Sequence, residues 1–117
     1  MATSTIPYTG ADSGTMTTVN GSISGAERAR WNRSGRAVVI GLTFTTNASI
    51  SGSTDVLFSG APKAQTPVRT FLHQMNAQTG GVFIRVEING NGEVTNAYTS
   101  GGIPAGQYEG EIMYISQ

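Results

Sequence analysis

The amino-acid sequence predicts an all-β protein, an antiparallel β-sandwich of jelly-roll type. Three observations support this fold class. β-Branched and aromatic residues occur in short runs of alternating polarity, glycine-rich turns separate the runs, and no stretch has the length and caps of a helix. Strands of this number and spacing are typical of two packed antiparallel sheets. The 117 residues are enough for one hydrophobic core.

Turn dipeptides bound the predicted strands. Residues 1–14 are small and polar and are expected to be a flexible leader, followed by one head domain at residues 15–117. Asn20-Gly21 and Ser34-Gly35 are dipeptides that tolerate the backbone angles of tight turns. The predicted strands cover residues 15–19, 27–33, 36–46, 54–60, 68–76, 82–89, 93–98 and 107–116.

Alternation along these strands predicts which side chains enter the core. Within residues 36–46 the even positions from 38 to 44 are large and apolar whereas the odd positions are small, so these even side chains should point inward. Residues 82–89 form the clearest amphipathic strand, and residues 107–116 follow the same pattern. The predicted core residues are Val38, Ile40, Leu42, Phe44, Val82, Ile84, Val86, Ile88, Tyr108, Ile112 and Tyr114.

The strand at residues 68–76 carries apolar side chains on both faces. Val68 and Leu72 occupy one face, and Phe71, His73 and Met75 occupy the other. A sheet with one side in water does not need apolar groups on both faces. We therefore expect Phe71, His73 and Met75 to contact a neighbouring subunit.

Charge and cysteine content exclude several functions. Seven basic and seven acidic residues give zero net charge, so a nucleic-acid partner is not expected. No apolar run approaches the roughly 18 residues of a membrane span, and the N-terminal residues resemble no secretory signal. Without cysteine there can be no disulfide or thiolate chemistry. With one histidine, His73, we expect no metal site and no cofactor.

Five segments of the chain carry recognisable motifs: DSGTMTTVNGSIS (12–24), RWNRSGRAVVIGLTFT (30–45), LFSGAPKAQTP (57–67), GVFIRVEINGNGEV (81–94) and GIPAGQYEGEIMYIS (102–116). Pro62 and Pro67 stand in the corner formed by the third segment, which we interpret as a rigid connection between strands. The order of these motifs resembles the C-terminal head domains of phage tail-fibre, baseplate and receptor-binding proteins. In that family a "DSGW…NGW" lead-in precedes a strand pair, a proline-containing corner, a strand ending in "NxDGxI" and a closing strand.

The resemblance implies a function in adhesion. Such heads are typically homotrimers at the tip of a fibre or baseplate; they are made in the bacterial host and act outside it, as part of the virion. They bind saccharides of the host cell wall or surface and contact other tail proteins. Aromatic rings that stack on sugars and nearby polar groups would form the binding site. The candidates for glycan binding are Trp31, Tyr98, Tyr108, Asp55, Arg69 and His73.

Two alternatives stay open at this point. A purely structural cap of the virion would share the fold and bind no glycan. A carbohydrate-active enzyme, or its binding module, would need two carboxylates, and Glu109 and Glu111 lie two positions apart on one strand face. Pairing of such residues with charges on a neighbouring strand is the commoner arrangement, so we expect no catalysis.

Overall fold

The computed structural model describes residues 12–52, 54–75, 82–97 and 102–117. These residues form nine β-strands and no helix, which confirms the all-β prediction. The strands are β1 (Ser13–Thr15), β2 (Thr17–Thr18), β3 (Ile23–Ser34), β4 (Ala37–Thr46), β5 (Val56–Ser59), β6 (Val68–Gln74), β7 (Phe83–Ile88), β8 (Val94–Asn96) and β9 (Gly106–Ile115).

The strands form one antiparallel sheet that nearly closes into a barrel. Their order is β1-β3-β4-β9-β6-β7-β8-β5-β2. The two edge strands, β1 and β2, are separated in the chain by Met16 alone, and the Met16 amide donates a hydrogen bond of 2.7 Å to the carbonyl of Ala29 on β3. Because one short segment joins both edges, the predicted jelly-roll sandwich of two sheets is not confirmed.

The predicted strands are all represented, with differences at their ends. The β3–β4 hairpin turns at Gly35, whose positive φ of 60° favours glycine. β3 begins at Ile23, earlier than predicted, because two register shifts keep its first residues paired with β4. Ser13 and Gly14, which the prediction placed in the leader, belong to β1. Residues 1–11 lie outside the described residues.

The predicted core is largely confirmed. Ten of the eleven predicted residues are buried, and Val82 is half-buried. The Phe44 ring lies at the centre, with centroid distances of 5.3 Å to Phe58 and 5.8 Å to Tyr108. Burying each large apolar side chain contributes about 1.5–3 kcal/mol, so this core supplies the main driving force of folding.

The connection from β5 to β6 fastens one end of the barrel. The Tyr114 hydroxyl donates a 2.7 Å hydrogen bond to the carbonyl of Pro62. The Gln117 backbone amide donates to the carbonyl of Lys63 at 2.9 Å, and Ala64 forms a bridge with Ser116. These contacts hold the proline-containing corner against the end of β9. The corner therefore serves as a structural connection between β5 and β6.

Candidate functional site

Three neighbouring strands, β9, β6 and β7, carry large apolar side chains that face away from the core. Five large apolar side chains of the described residues are at least half exposed, and four of them lie on these strands. We call this surface the outer face. It consists of Arg69, Phe71, His73, Phe83, Arg85, Glu87, Glu109, Glu111, Met113 and Ile115.

The β6–β7 part of the outer face contains a cluster that we call the aromatic patch: Phe71, His73, Phe83 and Arg85. The strand register places Phe71 opposite Arg85 and His73 opposite Phe83. The two phenyl centroids are 6.4 Å apart with a nearly perpendicular orientation, although the rings remain 57% and 54% exposed. The Arg85 guanidinium carbon lies 5.2 Å from the Phe71 centroid, within the range of a cation–π contact.

Charged side chains border the aromatic patch. Arg69 Nε donates a hydrogen bond of 2.9 Å to Glu87 Oε1. His73 Nε2 lies 3.3 Å from Glu109 Oε1 and is an ion-pair partner when protonated. Among the described residues, no carboxylate lies within 4 Å of the Arg85 guanidinium. The patch thus combines two exposed rings, hydrogen-bonding groups and one cation with no carboxylate partner.

Met113 and Ile115 form a second, purely apolar part of the outer face, which we call the apolar end. They are 70% and 50% exposed. A hollow of about 320 Å³ on the β4 side is lined by both residues together with Ala37 and Val39. On the β6 side, β9 pairs with β6 only at His73 and Gln74. Beyond this pairing, a hollow of about 310 Å³ is lined by Val68 of β6 and by Met113 and Ile115 of β9.

Two of the predicted glycan-binding aromatic residues belong to the core instead. Trp31 is 9% exposed and its indole lies against Gly14, and Tyr108 is fully buried. Burial raises the pKa of the Tyr108 phenol, and its hydroxyl donates a 2.7 Å hydrogen bond to the carbonyl of Pro104. Since neither ring has a free face for a sugar, the prediction for Trp31 and Tyr108 was wrong.

The other candidates are distributed over three places. Arg69 and His73 both lie on the outer face of β6, beside the aromatic patch. Asp55 is exposed just before β5, three strands from β6 in the sheet order, which corresponds to about 14 Å measured along the sheet. It is therefore not a neighbour of Arg69 or His73. Tyr98 lies outside the described residues.

The predicted subunit-contact residues lie along one strand end. Phe71 and His73 are exposed on the outer face, as the two-faced pattern predicted. Met75 follows β6 and is half-buried, with its amide donating a 2.7 Å hydrogen bond to the carbonyl of Gln107. Phe71 and His73 thus remain available for a contact, and Met75 contributes partly to the barrel.

Sequence reasoning missed Phe83 and Arg85. The signal was present: Phe83 is a large apolar residue on the otherwise polar face of the most regular amphipathic strand. Its meaning depends on Phe71 and His73, which the β6–β7 register brings across from it. Because the register is a relation between two strands, the pattern of either strand alone could not give it.

The carboxylates of Glu109 and Glu111 point toward opposite sides of β9. Glu109 contacts His73 on β6, while Glu111 lies 3.6 Å from Arg28, whose side chain reaches from β3 across Gly41 of β4. A glycosidase needs two carboxylates that face one bond. The divergence of these two groups gives no such arrangement.

The described residues contain no cluster of three or more potential metal ligands. Within the same part of the chain, no helix is long and apolar enough to cross a bilayer. No known protein family matches the chain, and comparisons with curated proteins and with solved structures give no significant match.

Proposed function

We propose that this protein is a head domain of a phage tail fibre or baseplate, and that its aromatic patch binds saccharide on the host cell surface. The order of motifs along the chain supports the class of protein. The observation that carries the binding function is the exposed pair of rings, Phe71 and Phe83, in contact with Arg85 and His73. Because Phe71 and Phe83 are exposed to solvent, this pair of rings is not part of the core.

The chemistry of the patch suits a sugar. The apolar face of a pyranose packs on an aromatic ring, and its hydroxyls bond to the polar groups around it. Here Arg85, His73 and Glu109 would supply donors and acceptors beside Phe83. The surface is shallow, so a single site would bind weakly, and repetition over many copies on the virion would supply avidity.

The proposal includes assembly into a homotrimer. The homotrimer follows from the family resemblance, and the jelly-roll sandwich follows from the number and spacing of the predicted strands. Support for assembly comes from the apolar end, where Met113 and Ile115 stand in water beside two hollows. Subunits that contact each other through Met113 and Ile115 would leave the aromatic patch at the edge of the interface. Other tail proteins would bind elsewhere on the surface.

Retention of the protein on purified bacterial wall and surface polysaccharides tests the adhesion proposal. We expect binding by the native chain and a loss of roughly tenfold or more in Phe83→Ser, because stacking on the exposed ring supplies much of the binding energy of so shallow a site. Val19→Ser is the matched control, since Val19 is about as exposed but lies outside β6, β7 and β9. Absence of binding to every polysaccharide, or equal binding by Phe83→Ser, would contradict the proposal.

A structural cap without glycan binding is the second candidate. It is favoured by the continuity of the outer face, because Phe71, Phe83, Met113 and Ile115 could all be covered by neighbouring subunits. Light scattering measures the assembly of the native chain, of Met113→Glu and of Phe83→Ser. A native trimer that both substitutions dissociate, with no polysaccharide bound by the native chain, would favour the structural cap over the adhesion domain.

A further inference from the structure

We infer that the aromatic patch selects acidic saccharides, with Arg85 binding the carboxylate of a sugar that stacks on Phe83. This inference rests on the proposed function and specifies the ligand class of the same site. It depends on three features of the patch: the absence of a carboxylate partner for Arg85, the orientation of Arg85 and the spacing of Phe83 and Arg85.

The ion pairs of the outer face leave one cation of the patch, Arg85, without a carboxylate partner. Arg69 is bonded to Glu87 at 2.9 Å, and His73 lies 3.3 Å from Glu109. Arg85 stands between these pairs on the sheet, and within the described residues it has neither a carboxylate within 4 Å nor a side-chain hydrogen bond. A ligand that supplied a negative charge would complete the pairing.

Arg85 is oriented before any ligand binds. Its guanidinium lies over the Phe71 ring, at 5.2 Å from the centroid. A guanidinium held against a ring keeps its N–H groups directed outward from its edge, and its planar fork matches the two oxygens of a carboxylate. Because the side chain is already placed, less conformational entropy is lost on binding.

The spacing of Phe83 and Arg85 suits one sugar unit. They are alternate residues of β7 on the same face, which separates their α-carbons by about 7 Å. A pyranose stacked on Phe83 would extend its exocyclic carboxylate toward Arg85 and its ring hydroxyls toward His73, whose ring centroid is 6.5 Å from that of Phe83. A neutral hexose would make the stacking contact and leave Arg85 without its partner.

Binding of defined saccharides to the immobilised full chain tests this inference. The probes are oligogalacturonate, the matching neutral oligogalactose, and polyglycerol phosphate, which is anionic but has no pyranose rings. We expect the native chain to prefer oligogalacturonate over oligogalactose by roughly tenfold, with the preference falling at high salt. Arg85→Gln should lose the preference and keep the weaker neutral binding.

Arg30→Gln is the control variant, because Arg30 is also exposed and lies on β3, four strands from β7 in the sheet order. It should keep the native preference, and circular dichroism should show both variants folded. Equal binding of the acidic and neutral oligomers by the native chain would overturn the inference while leaving the proposed function intact.

Two further outcomes would assign the aromatic patch a different role. Equal binding of polyglycerol phosphate and oligogalacturonate would show that charge alone is recognised, and it would overturn the stacking geometry. Self-association that Phe83→Ser and Arg85→Gln both abolish, without binding of any probe, would make the patch an interface between copies of the chain. That result would overturn the proposed adhesion as well.

Discussion

The two faces of the β6–β7 hairpin have similar apolar residues and opposite surroundings. On the inner face Leu72, Ile84 and Val86 are fully buried, whereas on the outer face Phe71 and Phe83 are more than half exposed. Apolar surface removed from water stabilises the fold by about 25 cal/mol per Å², and surface left in water adds little. The inner residues therefore account for the fold, and the outer rings require a role outside it.

The largest expected effect is on the inner face of β6. Leu72→Ala should lower the free energy of unfolding by about 3 kcal/mol, since it removes buried methyl groups and leaves a cavity. Phe71→Ala, one residue away on the outer face, should change it by less than about 0.5 kcal/mol. Urea denaturation measures both. A comparable loss in the two variants would show that the outer ring is part of the core.

The second prediction concerns the packing of Leu72 against β9. A β-carbon added at Gly110 would lie 2.5 Å from Leu72 Cδ2, so the inner face leaves no room for it. Gly110→Ala should therefore lower the free energy of unfolding by about 2 kcal/mol, again measured by urea denaturation.

Combining Gly110→Ala with Leu72→Ala provides the control, because the shortened side chain makes room for the new methyl group. The double variant should be more stable than the sum of the two single effects predicts. Strict additivity would mean that Leu72 does not limit the space at Gly110.

The core was predictable because it depends on a local property. Alternation with period two needs only the strand itself, and it correctly placed residues such as Ile40, Leu42 and Ile112. Whether two sheets face each other or one sheet curves back on itself depends on strand order. The closing contact, made on either side of Met16 by β1 and β2, involves only five strand residues and has no distinctive pattern.

The candidate site was only partly predictable, because it depends on contacts between strands. Alternation placed Arg69 and His73 on one face of β6, and both lie beside the aromatic patch. The choice of Trp31 and Tyr108 followed their residue type, and type does not distinguish an exposed ring from a buried one. Phe83 gains its significance from its register with His73, which no single strand encodes.

The third prediction uses the buried phenols of β9. Burial raises the pKa of Tyr108 and Tyr114 above the ordinary value of 10.0, because a phenolate is poorly solvated inside the barrel. The folded state therefore favours the neutral phenol. The stabilisation that this preference gives to the folded state is fully present below pH 10.0, and it is lost as the pH rises through the raised pKa values.

Above pH 10.0 the free energy of unfolding should fall by up to about 1.4 kcal/mol per pH unit for each tyrosine. Tyr114→Phe should reduce this slope, at a cost of about 1 kcal/mol near neutral pH from the lost hydrogen bond to Pro62. Denaturation series from about pH 8 to about pH 12 measure the slope, with Met113→Ser on the outer face as the control. An unchanged slope in Tyr114→Phe would contradict the assignment.

The smallest effect is expected for the ion pair of Arg69 and Glu87 on the outer face. The Arg69 side chain is mostly in water, so solvent and salt screen its attraction to Glu87 despite the 2.9 Å separation. A double-mutant cycle with Arg69→Gln and Glu87→Gln should give a coupling below about 0.5 kcal/mol that decreases in high salt. A coupling of about 2 kcal/mol that is independent of salt would mean that the outer face stabilises the fold directly.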